Sequence, residues 1–203
     1  MPSPARSETS RERRRAILDA ALGEILSRGY DAVTMDQVRA RSGASIGSIY
    51  HHFASKQELA AALLLEGLAA YQAGFAAALG GRRGARASIE AALRFHLSFV
   101  AEQPDRARFL FAEQPAEVAR ACEARLRQMN RAFLAAVMRR LRAFAAAGTL
   151  RVLPADVYAA VLVGPAQFFA RHWLAGATET PIEEAARRLA QATWAALAPR
   201  KET

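Results

Sequence analysis

Gly47, Ser48, His51 and His52 fall on one side of a short helical stretch when successive residues are stepped about 100° apart, with Ser45 at its start. Hydroxyls, imidazoles and a glycine offer hydrogen-bond donors and acceptors on a surface of low relief. Such a face suits base edges in a DNA major groove, where bulk would hold the helix away. Ser45, Gly47, Ser48, His51 and, at the margin, His52 are therefore expected to face bases. Ile46, Ile49, Tyr50 and Phe53 lie within roughly 100° of arc on the other side and form an apolar face. The polar side carries no Arg, Asn or Gln, the residues that read guanine or adenine through paired hydrogen bonds. Direct readout is expected to be sparse, with DNA shape and the arginines at 6, 11, 13, 14 and 15 in a neighbouring minor groove adding specificity.

Other chemistry finds less support. His51 and His52 are adjacent and diverge by about 100° on a helix, so they do not share one ion easily; helical ligand pairs sit at i, i+4. His96, His172 and Cys122 have no ligand spacing, and neither a metal nor a cofactor is expected. There is no nucleophile elbow, phosphate-binding glycine loop or HExxH. Glu113 and Glu117 at i, i+4 read as ordinary surface carboxylates. An enzyme is not expected, and an all-α carrier or enzyme that does not bind DNA would have no use for the small polar face.

The flanking residues supply the elements that position this face. Thr34 is placed as an N-cap, Gly43 as a turn and Ser45 as the next N-cap, which is the spacing of a helix-turn-helix. Upstream, the rows Ile17/Ala21/Ile25 and Leu18/Leu22/Leu26 predict a helix from about Ser10 to Arg28, ended by Gly29. Downstream, Ser55 and Glu58 predict a capping box opening a helix that runs towards Leu79.

Ile17 to Gly29, Tyr30, Thr34, Val38, Ser42-Gly43, Ser45 to Tyr50, Phe53, Ser55-Lys56 and Leu59 together resemble the N-terminal domain of the tetracycline-repressor (TetR/AcrR) family, without gaps over roughly residues 11 to 60. The register Tyr50-x-x-Phe53-x-x-Lys56 is the specific part. Arg39 stands where the family usually has a small apolar residue and fits either a phosphate contact or a solvated charge. Ala44 replaces the usual Val and thins the turn core by about 1 kcal/mol of burial. The resemblance implies phosphate contacts at Thr34, Tyr50 and Lys56. It also implies a homodimeric regulator, most often a repressor, that binds double-stranded DNA.

The chain has 203 residues, 52% hydrophobic, with almost no strand signal, and is read as all-α with about nine helices. The expected division is a disordered basic arm over 1–10, a DNA-binding domain over 11–58 and an effector and dimerisation domain over 59–203. The net charge of +9 suits an acidic partner, yet residues 1–60 hold nine Arg/Lys against seven Asp/Glu, so most of the excess lies beyond them. Helices are predicted over 85–103, 105–113, 115–148, 154–174 and 181–198, with a linker at Gly80 to Gly84. Phe95, Phe99, Phe109, Phe111, Phe133, Phe168, Phe169, Met129 and Trp173 are candidates to line an apolar pocket, with His96, Gln103, Gln167 and His172 to orient a ligand. The resemblance implies that a small effector binds there. It also implies a dimer interface of the last two helices, about 154–174 and 181–198. A regulator with no effector is the alternative. One cysteine fits a reducing cytoplasm, the charged start lacks the apolar core of a signal peptide, and the Val157–Ala170 run is too short to span a bilayer. No membrane association is expected.

Overall fold

Alanine and leucine at helical spacing yield helices throughout. In the computed structural model the described residues are 4–81 and 84–199, and they form ten α-helices with no strand. These are α1 (Pro4–Arg28), α2 (Met35–Ser42), α3 (Ile46–His52), α4 (Lys56–Gly80), α5 (Ala85–Glu102), α6 (Pro104–Phe111), α7 (Ala116–Ala121), α8 (Glu123–Ala146), α9 (Ala155–Leu174) and α10 (Ile182–Leu197).

Two expectations need correction. Helix α1 begins at Pro4 rather than near Ser10, so much of the arm expected to be disordered is helical, while residues 1–3 lie outside the described residues. Arg82 and Arg83 of the expected linker also lie outside them. The single helix predicted over 115–148 is two, parted at Cys122, which raises the helix count from nine to ten among the described residues. No proline or glycine forces that break. Val118, Cys122 and Leu126 continue as one stripe across it into a shared core, so tertiary packing sets the bend.

The chain packs as two units. The first comprises the described residues up to Gly67 together with Phe109–Leu126, and the second comprises Leu68–Arg108 with the chain from Arg127 onward. The first differs from the expected 11–58 domain: α4 contributes to it as far as Gly67, and a distant segment joins it. Its core takes both predicted rows of α1, then Val38, Ala44, Ile49 and Phe53, then Leu59, Leu63 and Leu64 of α4, and finally Phe109 and Val118. Phe109, expected at an effector pocket, is 1% exposed in this core instead.

In the second unit α5 packs against α9 and α10, and those two against each other. Small residues let the helices close up: Ala166 and Ala170 of α9 and Ala185, Ala186 and Ala190 of α10 are buried. Gly74 of α4 serves the same end, because a Cβ there would stand 2.2 Å from Cζ of Phe95. This packing consumes part of the stripe expected to be free for a second protomer. Leu162, Ala185, Ala186, Thr193 and Leu197 are buried within the chain, whereas Val157, Phe168 and Ala192 are exposed.

Helix α4, rather than the 157–170 run, is long and apolar enough by length and composition to cross a membrane: 25 residues, with a mean hydropathy of 1.4 over its most apolar window. Its buried Leu59 and Leu64 lie in the first unit, and Tyr71, Phe75 and Leu79 in the second.

Candidate nucleic-acid interface

The helix-turn-helix is built by caps. The Gln37 N–H donates to Thr34 Oγ1 at 3.3 Å and the Thr34 N–H to Gln37 Oε1 at 2.8 Å, a complete capping box at the start of α2. Gly43 ends that helix with φ 65°, a left-handed conformation that costs other residues about 1–2 kcal/mol, and its N–H returns to Arg39 O at 3.1 Å. Ser45 then caps α3, its Oγ accepting from the Ser48 N–H at 3.2 Å. At α4 the Glu58 N–H donates to Ser55 Oγ at 3.1 Å, but Glu58 reaches one residue further back than predicted and accepts from the Ala54 N–H at 2.8 Å.

The orientation of α3 narrows the apolar face read from the sequence. Ile49 and Phe53 are buried at 0% and 1% exposure, but Ile46 is 42% and Tyr50 51% exposed. Helix α3 packs against α1 and α2. Seven residues docked in this way bury one i, i+4 stripe and leave the other half of the apolar arc in solvent. Ser45, Gly47 and His51 are exposed, and Ser48 and His52 are half-buried. A side chain at Gly47 would meet nothing within 4 Å. Burial, followed by the charges of His51, Arg14 and Arg13, lowers the pKa of His52 and favours its neutral ring.

The residues that the resemblance assigns to phosphate have unequal freedom. Tyr50 is exposed, and the Thr34 hydroxyl retains its proton to donate outward. Lys56 is half-buried: Nζ donates to the carbonyls of Tyr30 at 3.0 Å and Asp31 at 3.1 Å and lies 4.6 Å above the Tyr30 ring. Its ammonium thereby ties the start of α4 to the turn after α1. Arg39 pairs with Asp36 on the surface of α2 at 3.2 Å.

Sequence reasoning missed several positioning contacts. Arg14, expected in a minor-groove arm, forms a two-pronged ion pair with Glu66 of α4, Nη1 to Oε2 at 2.6 Å, and lies 5.0 Å over the Phe53 ring. Arg11, Arg13 and Arg15 remain exposed on α1, and the side chain of Arg6 lies outside the described residues. Glu24 is buried in α1 and accepts from Arg28 Nε at 2.8 Å and Arg41 Nη1 at 3.2 Å, which joins α1 to α2. Partners 17 residues apart leave no periodic signal, so only the fold reveals this pair.

In the second unit the expected effector residues divide. Tyr71 OH lies 2.8 Å from Nδ1 of the fully buried His96, and Tyr71 packs with Phe75, Phe95 and Phe99 at centroid distances of 5.3–6.1 Å. Phe133 meets Phe75 edge-on at 5.6 Å. Gln103, Met129, Gln167 and Trp173 are half-buried. Phe168 is 59% exposed and stacks at 4.2 Å on His172, itself exposed, so this pair stands on the outer face of α9. A groove of about 380 Å³ lies elsewhere, between the end of α4 and α8, lined by Ala76, Leu79, Gly80, Ala136, Val137, Arg139, Arg140 and Ala143. None of the expected effector residues lines it.

A doubly capped helix-turn-helix with a low, exposed outer face defines the DNA-binding regulator class. Residues 17–63 match the family model for bacterial regulatory proteins of the tetR family. The transcriptional regulator BetI of Agrobacterium fabrum is 32% identical over 154 residues, 76% of this chain and 71% of BetI. The chain belongs to the tetR family, whose members are transcription regulators and not enzymes. The transcriptional repressor KstR of Mycolicibacterium smegmatis is 45% identical over 53 residues, and that match spans only 26% of each protein. FadR of Bacillus subtilis, solved with stearoyl-CoA, shares the fold at a TM-score of 0.74 and 15% identity, over 88% of this chain and 96% of FadR.

Proposed function

We propose that this protein is a cytoplasmic transcriptional repressor that binds a palindromic operator as a homodimer and leaves it when a small, largely apolar effector binds. The observation that carries the reading is the outer face of α3, where Ser45, Gly47 and His51 are exposed on a helix that Ile49 and Phe53 anchor. Ser45, Gly47, Ser48, His51 and His52 meet base edges, Thr34 and Tyr50 meet phosphates, and Lys56 sets the register of α4 behind them. Two such helices reach successive major grooves about 34–36 Å apart. Exposed Val157 and Phe168 on α9 support pairing with a second copy through α9 and α10. KstR's role as a repressor and the acyl-CoA on FadR support the sign of regulation and the effector class. Helix α4 contributes residues to both units and is the lever of the response. Selection of bound fragments from the source genome, then titration in rising salt, tests the DNA reading. Specific retention that weakens linearly in log salt is expected, and retention of no fragment overturns it.

One observation favours a regulator without an effector. Phe95, Phe99 and Phe133, expected to line a pocket, pack against Tyr71 and Phe75 of α4. Titrating fatty acyl-CoAs of graded chain length against free and operator-bound protein separates the readings, because coupling requires weaker binding to the DNA complex. Equal affinities overturn effector release.

A further inference from the structure

We infer that Ile46 is a specificity-determining residue that reads the 5-methyl group of a thymine in the operator's major groove. The inference rests on the reading of α3 as the groove-entering helix and adds to it the base chemistry of one position. Ile46 is 42% exposed on α3, whose anchoring residue Ile49 is buried, as is Phe53 at its C-cap. It lies about 60° around the helix from buried Ile49 and about 40° from exposed Tyr50, in the half of the apolar arc that stays in solvent. Ser45 precedes it, Gly47 leaves open space on one side, and exposed Tyr50 stands one turn further on. The aliphatic side chain there is exposed and has no donor or acceptor. It therefore gains nothing from the edges of guanine, adenine or cytosine, which the major groove presents as hydrogen-bonding groups. The thymine methyl is the apolar feature that the groove offers an unmodified duplex, and burying it against Ile46 removes apolar surface of both partners from water. Specificity of this kind needs none of the Arg, Asn or Gln residues that the face lacks.

The test replaces each thymine of the selected operator by deoxyuridine in turn, which deletes only the methyl group. For the wild-type protein, one position per half-site is expected to lose about fourfold in affinity, the effect of one buried methyl. In Ile46→Ser that dependence disappears, while Ile46→Val retains most of it. Because Ile46 is outside the core, thermal melting of both variants is expected to match wild type. An operator bound tightly but indifferent to every thymine methyl, or equally sensitive with Ile46→Ser, overturns the role of Ile46 alone. A wild-type protein that retains no operator overturns the groove reading as well.

Discussion

His96 has no exposed surface, and burial, opposed in part by a backbone hydrogen bond with Ala166, holds its pKa down at about 4 against an ordinary 6.5. The native state therefore refuses a proton that the unfolded chain accepts between those values. Stability is complete above about pH 6.5 and falls as the pH drops to 4, by up to about 3 kcal/mol at 1.36 kcal/mol per pKa unit. Urea midpoints across this range are expected to show the slope in wild type and a flatter line in His96→Gln, which keeps an acceptor for Tyr71 without titrating. Glu24 behaves differently: the hydrogen bond from Arg28 chiefly, with Arg41 adding to it, holds its carboxyl below the usual 4.5. Its contribution is present above that value and is lost as pH falls through the depressed one. Glu24→Gln is expected to remove this more acidic limb of the unfolding curve and leave the His96 limb in place.

Helices α2 and α4 make opposite demands on small changes. Thr34→Ala deletes the side-chain half of the capping box of α2 and is expected to cost about 1 kcal/mol in urea unfolding, with Thr34→Ser close to wild type. At Gly74, alanine gains up to about 1 kcal/mol of helix propensity. The new Cβ would nevertheless collide with the Phe95 ring, and a packed aromatic has little room to yield. Gly74→Ala is expected to destabilise by about 1–3 kcal/mol, partly relieved when combined with Phe95→Leu. A stabilised single variant would show that the ring moves freely. The capped boundaries of α2 and α3 were legible in the sequence because caps are local chemistry. The bend at Cys122 was not, since no local residue demands it.

At the scale of the molecule, the exposed apolar residues of α9 are the ones that the proposed dimer would cover. Phe168→Glu places a charge where the proposed dimer buries an aromatic and is expected to weaken self-association by about 2 kcal/mol or more. Sedimentation measures this directly, and operator affinity should fall in parallel. A variant that stays dimeric moves the interface away from α9. The apolar residues of the last two helices could be read from the sequence, but their division could not. Leu162 and Thr193 belong to the chain's own core and Phe168 does not, because the rotation of each helix against α5 decides which side of the stripe is consumed.

Sequence alone determined the capped ends of α2 and α3, the turn at Gly43 and the small polar face of α3, all of which depend on residues within a few positions of one another. Tertiary structure decided which half of an apolar arc would be buried and which arginines would be occupied. Ile49 and Phe53 went into the core while Ile46 and Tyr50 stayed in solvent, since the angle at which a short helix docks is set by the elements it meets. Arg14 was drawn to Glu66 and Arg41 to Glu24 for the same reason, as these partners are brought together by the fold from 52 and 17 residues away.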